Sequence, residues 1–157
     1  MIRYSLLILG VITMLLSCGE PPFFEETRTL ESQTWPADEE LTFTFDVQDT
    51  QTAFDFLLNL RHGEAYPYSN LYLFMQLDFP NGKKSIDTLE CVLADDRGKW
   101  NGRTPGSLVD HRIIINGRRI FPLKGEYTVH IKQAMRVDSL PEIYDVGFAL
   151  KEFESGN

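Results

Sequence analysis

Leu41-Thr42-Phe43-Thr44-Phe45-Asp46-Val47 places an apolar side chain at every second position, with Thr or Asp between. In an extended chain successive side chains point to opposite faces, so this spacing makes one apolar face and one wet face. That is the pattern of a half-buried β-strand. A helix would spread the same four apolar residues over opposite sides of its cylinder.

The same period recurs downstream. Phe54, Phe56, Leu58 and Leu60 form a second stripe, and Leu71, Leu73, Met75, Leu77 and Phe79 a third. Pro80-Asn81-Gly82-Lys83 follows, with Pro suited to the first corner of a turn and Gly to a position of positive φ, so a hairpin into Ser85–Ala94 is predicted. Asn116-Gly117, between Ile113–Ile115 and Arg118–Phe121, predicts another hairpin. Tyr127, Val129 and Ile131, then Val146, Phe148 and Leu150, complete the set. Only Lys132–Leu140 has room for a helical turn, which Pro141 would end. About eight strands at short intervals make an all-β protein, an antiparallel β-sandwich of jelly-roll-like or immunoglobulin-like topology. Pattern alone does not separate those two.

Upstream of the first strand the chain changes character. Arg3 is the sole charge before Glu20, and Leu6–Leu16 is almost wholly apolar yet shorter than the roughly 20 residues that span a bilayer. Leu15-Leu16-Ser17-Cys18 then has the form of a bacterial lipobox, in which a small residue precedes a cysteine. The expectation is that residues 1–17 are a signal peptide and that Cys18 carries a diacylglyceryl thioether and an acylated amine. Each buried methylene adds about 0.8 kcal/mol, and several chains together anchor stably. Gly19 stands where some bacteria use Asp to retain lipoproteins in the inner membrane, which favours the outer membrane. Residues 18–34, with Pro21-Pro22 and several charges, read as a lipidated tether in which Phe23 and Phe24 dock on the domain or touch the membrane interface. Residues 35–157 then form the sandwich.

The chain carries 15 Lys and Arg against 23 Asp and Glu, a net charge of −8. Loss of residues 1–17 would remove only Arg3. Such acidity argues against nucleic acid and against charge-driven binding to anionic head groups, so membrane attachment falls to the lipid. Cys91, with Cys18 committed to the thioether, has no partner and reads as a buried thiol.

Chemistry-bearing motifs are sparse. His62, His111 and His130 do not stand at metal-ligand spacing from one another or from Cys91, and His130 alternates outward on its strand. Asp95-Asp96-Arg97-Gly98 suits a turn. It offers two acids to calcium but lacks the alternating acids and closing Glu of a calcium loop, so Asp95 and Asp96 are weak candidates. No nucleophile elbow or phosphate-cradling glycine loop occurs, and no cofactor is expected. Four aromatic residues near loops, Trp35, Tyr66, Tyr68 and Trp100, are the candidate partner-binding residues, because interfaces favour aromatic anchors. Packing is the competing role for Trp100 and the tyrosines.

Several segments together carry a resemblance: Tyr66-Pro67-Tyr68-Ser69-Asn70-Leu71; Leu93-Ala94-Asp95 followed by Gly98-Lys99-Trp100-Asn101-Gly102; Phe121-Pro122 followed by Gly125-Glu126-Tyr127; and Gln133-Ala134-Met135-Arg136 with Leu140, Ile143, Asp145, Val146 and Gly147. In this order the chain resembles the gliding-motility lipoprotein GldH family of Bacteroidetes-type bacteria. One departure is Pro105, in a Gly102–Gly106 turn expected to be more compact and richer in glycine. The resemblance implies a non-enzymatic, lipid-anchored envelope component of gliding machinery, tied to a secretion system and acting on other envelope proteins. It carries no catalytic residues across. The competing expectation is a glycan- or peptidoglycan-binding module that uses the same aromatics and the Asp95-Asp96 loop, with or without calcium.

Overall fold

The structure, a computed structural model, describes residues 21–153. The signal segment 1–17 and Cys18 therefore lie outside the described residues. Ten strands run through the described chain: β1 Phe24–Thr29, β2 Thr34–Pro36, β3 Leu41–Val47, β4 Ala53–Gly63, β5 Asn70–Asp78, β6 Lys84–Val92, β7 Leu108–Ile120, β8 Gly125–Gln133, β9 Ser139–Pro141 and β10 Ile143–Glu152. A single 3-10 turn, Glu31–Gln33, is the one helical element among the described residues.

Two four-stranded antiparallel sheets form the sandwich, in the orders β1-β10-β4-β7 and β3-β8-β5-β6, with β2 and β9 a short separate pair. The pairing is nested. First pairs with last, and the sequence continues inward through β2·β9, β3·β8 and β4·β7 to the β5·β6 hairpin at the centre. The chain is in effect one long hairpin rolled up so that β10 also meets β4 and β8 also meets β5. That wrapping is a jelly roll, and it settles the choice left open by pattern.

The alternating stripes point where their period requires. Leu41, Phe43, Phe45 and Val47 from β3 meet Phe54, Phe56, Leu58 and Leu60 from β4 in one core, together with Leu71, Leu73, Met75, Tyr127, Val129, Val146 and Phe148. Phe148 lies within 6.0 Å of the rings of Phe43, Phe45 and Phe56. Emptying such a site costs about 3–5 kcal/mol. The Pro80–Lys83 turn forms as expected, with Gly82 at φ 78° and the Phe79 N–H bonded to the Lys83 carbonyl.

Three local expectations are changed by the structure. Asn116-Gly117 is not a hairpin tip but lies within β7, which runs on along β4. The register steps from Phe54↔Arg119 to Phe56↔Asn116 and then to Leu57↔Ile114, so β7 holds an extra residue at each of two bulges. Arg118 takes the positive φ (53°), and its N–H is held by the Asp55 carboxylate at 2.9 Å. The turn-forming residues are thus spent on a bend that keeps β7 paired to the eleven-residue β4. The second concerns the solvated tether: Phe24–Thr29 is an edge strand paired residue for residue with β10, and of the two places expected for Phe23 and Phe24 the domain is the one seen, Phe24 packing on Phe45 at 5.3 Å and Phe23 on Phe54 at 4.9 Å. The helical turn allowed for Lys132–Leu140 is also absent: β8 and β9 occupy its ends.

Candidate functional site

One end of the sandwich gathers the residues singled out in the sequence. Trp35 is not among its surface groups. It sits in β2 with no exposed area, and its indole N–H donates to the Glu39 carbonyl at 3.1 Å. Tyr66 is also buried, its hydroxyl donating to the Asn70 carbonyl at 3.0 Å, and burial pushes its phenol pKa upward. As folded, neither can reach a partner. Tyr68 stands edge-on to Tyr66 at 5.7 Å and is half-buried. Trp100, also half-buried, caps the ring of His62 edge-on at 4.6 Å. Tyr68 and Trp100 are therefore the two candidates that keep a surface.

Trp100 is held by a tight loop. The Asp95 N–H bonds to the Lys99 carbonyl, Gly98 supplies φ 79°, and one oxygen of Asp95 accepts the N–H groups of Arg97 and Lys99, each at 2.9 Å. The Asp95-Asp96 segment is thus a self-satisfied turn, and no cluster of three metal-ligating side chains exists among the described residues. Beyond Trp100 the chain crosses β7 at Gly102. A Cβ there would stand 2.6 Å from the Asp110 carbonyl and 3.0 Å from Cε1 of His111, so the close approach requires glycine. The longer Gly102–Gly106 segment with Pro105 is accommodated by paired backbone bonds between Arg103 and Asp110.

Beneath Trp100 lies a pair that sequence reading missed. Nε2 of His62 and Nε2 of His111 are 3.0 Å apart, both rings buried. Nδ1 of His62 stands 2.7 Å from the Gly63 carbonyl, which can only accept, so that nitrogen carries the hydrogen. In the neutral ring Nε2 is then an acceptor, and His111 donates to it. Burial lowers the pKa of both imidazoles. For His111 burial is the largest cause and the second imidazole adds to it, against a smaller opposing pull from Asp110, leaving its pKa at about 4. The signal was present: His62 continues the inward phase of Phe54, Phe56, Leu58 and Leu60. The partner, 49 residues away, was not legible.

Two faces flank this end. On the outer side of β4 and β7, a polar hollow of about 330 Å³ is crossed by Arg61, whose Nε donates to Asp110 at 2.7 Å and whose Nη1 lies 3.3 Å from Asp145. The Arg61 hydrogen bond holds the Asp110 carboxyl below the ordinary carboxylate range. Glu25 there takes Asn59 at 2.6 Å and Arg112 at 3.5 Å. On the opposite sheet, a groove of about 600 Å³ runs between Tyr68, Tyr72 and Phe74 on one side and Met135 and Val137 on the other. Phe74 is 51% exposed. The 134–138 turn forming its far wall is pinned by buried Gln133, which donates to the Val137 carbonyl at 3.1 Å and accepts the Met135 N–H at 2.8 Å. The groove is thus preformed.

Cys91 is buried, and burial raises its thiol pKa to about 11, as expected of an inert structural cysteine. His130 bonds Glu40 at 2.8 Å on the wet face of β8.

Fold and surface together define a jelly-roll domain with a rigid apolar groove and a self-neutralised polar face. The family model for GldH lipoprotein matches residues 22–150. The gliding motility lipoprotein GldH of Flavobacterium johnsoniae is 31% identical over 158 residues, covering 96% of this chain and 98% of that one. A GldH homolog of Christiangramia forsetii is 31% identical over 151 residues, 92% of each chain. The chain belongs to the GldH lipoprotein family. That makes it a gliding-motility lipoprotein by family, associated with the cell envelope, and the family is not a known enzyme family. Among solved structures, part of a GH115 4-O-methyl-α-glucuronidase aligns at TM-score 0.41 and 14% identity over 88% of this chain and 18% of that one, and the Yersinia pseudotuberculosis-derived mitogen at 0.37 and 9% over 87% and 92%.

Proposed function

We propose that this protein is a non-enzymatic component of the gliding machinery and its associated secretion system, held at the outer membrane by lipid on Cys18 and acting through contacts with other envelope proteins. The observation that carries the reading is the division of its two faces. Arg61, Asp110, Asp145, Glu25 and Arg112 are consumed in pairs with one another, with the exposed apolar groups of their sheet confined to Ile114 and Ile120 on β7, whereas on the opposite sheet Tyr72 and Phe74 lie exposed along a preformed groove and Ile86 and Val92 on the next strand. A contiguous exposed apolar face marks an interaction surface, and a wall fixed in advance by Gln133 lowers the ordering cost of binding.

A photo-reactive residue in place of Phe74, in cells making the full lipidated chain, tests this. The expected result is covalent capture of an envelope protein that the same probe in place of Arg61 does not capture. Recovery of only lipids and abundant porins from both positions would sink the reading. A rise in melting temperature with calcium or with members of a glycan panel would instead support a binding module.

A further inference from the structure

The jelly roll has four sheet edges, and they are not alike. On β3 the Arg28 guanidinium donates to the Thr42 carbonyl, on β7 two bulges break the line, and β1 is six residues long. β6 differs: nine residues, no Pro, no bulge and an unbroken register from Asn70↔Val92 to Asp78↔Lys84. The direction of its backbone groups follows from the two bonds that flank it. The Lys83 carbonyl accepts from Phe79, and the Leu93 N–H donates to Ser69, so odd-numbered residues bond to β5. Lys84, Ile86, Thr88, Glu90 and Val92 therefore turn their N–H and C=O groups to the open edge. Natural edges are blunted by bulges, Pro, charged side chains or covering groups, and of these β6 has only the charges of Lys84 and Glu90 among its five outward side chains, beside Ile86 and Val92, 70% and 59% exposed.

Behind this edge the sandwich is open. A slot of about 220 Å³ between the sheets is floored by Phe56, Met75 and Leu77 and rimmed by Ser85, Asp87 and Arg119. The exposed carboxylate of Asp87, on the slot side of β6, has no hydrogen-bond or ion-pair partner among the described residues, in a chain of net charge −8. Arg119 on the same rim donates to Asn116 and not to Asp87, so the carboxylate, the apolar slot and the row of free backbone groups together suit an extended segment that carries apolar and basic side chains.

We propose that β6 is the docking edge for an extended segment of a partner protein. The segment adds as a fifth strand to β3-β8-β5-β6, bonds to the backbone of Lys84–Val92, turns an apolar side chain over the slot and sets a Lys or Arg beside Asp87. This rests on the contact reading above and names the surface and the kind of partner.

The test places a photo-reactive residue at Ile86 in the full lipidated chain in cells, with Thr88→Pro and Thr88→Val compared. The Thr88 N–H faces the open edge, so Pro leaves the β5 ladder intact and Val controls for loss of the hydroxyl. The expected result is a cross-link to a basic, extended segment of another protein that drops by about tenfold in Thr88→Pro and stays level in Thr88→Val. Should Thr88→Pro melt early, Asp87→Arg substitutes, with a several-fold loss expected. A product unchanged by Thr88→Pro and Asp87→Arg, no product, or a product joining two copies of this chain would overturn the edge proposal. Persistence of the Phe74 capture in that case would leave contact-based function standing, whereas loss of both would sink the two together.

Discussion

Lowering the pH from about 7 to about 4.5 should remove about 2 kcal/mol of stability through His111 alone. The His62–His111 bond needs a neutral Nε2 on His62, and burial, with the second imidazole adding to it, holds the His111 pKa at about 4 against an ordinary value of 6.5, so the pair is buried with both rings neutral. Because the folded value is the lower one, the unfolded chain takes up the proton first. The neutral pair's contribution is whole above the unfolded value and is lost as pH falls toward the folded one. His62, also lowered, adds in the same direction. Asp49, Asp78 and Asp110 are held below 3.8 and oppose nothing in this window, since their stabilisation fades only at more acid pH. His111→Gln isolates the effect. The amide can still donate to His62 Nε2, but it has no proton to gain. Urea unfolding of residues 19–157 at the two pH values should show a loss about 2 kcal/mol larger in the wild type than in His111→Gln. Equal losses would refute the reasoning.

Gly102→Ala should destabilise by about 1–3 kcal/mol, read by thermal melting, because the new Cβ meets a backbone oxygen that cannot swing aside. Arg61→Met should change stability by less than about 1 kcal/mol, since its two ion pairs are solvent-screened, and a large loss would mean that the polar face is structural. Cys91 should resist an aromatic disulfide reagent at mildly alkaline pH in the folded domain and react at once in denaturant, which absorbance measures directly.

The fold class was legible because its evidence is local. Each stripe, from Leu41–Val47 to Val146–Leu150, declares its buried face by period alone. What was not legible depended on partners distant in the chain. Phe24–Thr29 carries charges at Glu25, Glu26 and Arg28, and only the antiparallel match to β10 makes it a strand. Asn116-Gly117 holds ideal turn residues, yet β4 continues past it and captures both halves of β7. Trp35 looked like a loop aromatic until β2 found β9. Of the aromatics singled out by residue type, Tyr68 lines the groove and Trp100 keeps a half-buried surface over His62. The groove depends on Met135 folding back toward β5, where its sulfur accepts the Tyr72 N–H at 3.3 Å, a contact no local pattern announces.

In the proposed function an acidic, strand-built body works by touch while fatty chains hold it to the envelope. The most direct measurement is mass spectrometry of the N-terminal peptide of the protein isolated from its own membranes, paired with fractionation of a Cys18→Ala variant. A peptide that begins at Cys18 with a diacylglyceryl sulfur, and a variant that moves to the soluble fraction, are the predicted results. An unmodified Cys18, or a variant still bound to the membrane after its signal segment is cut, would contradict it.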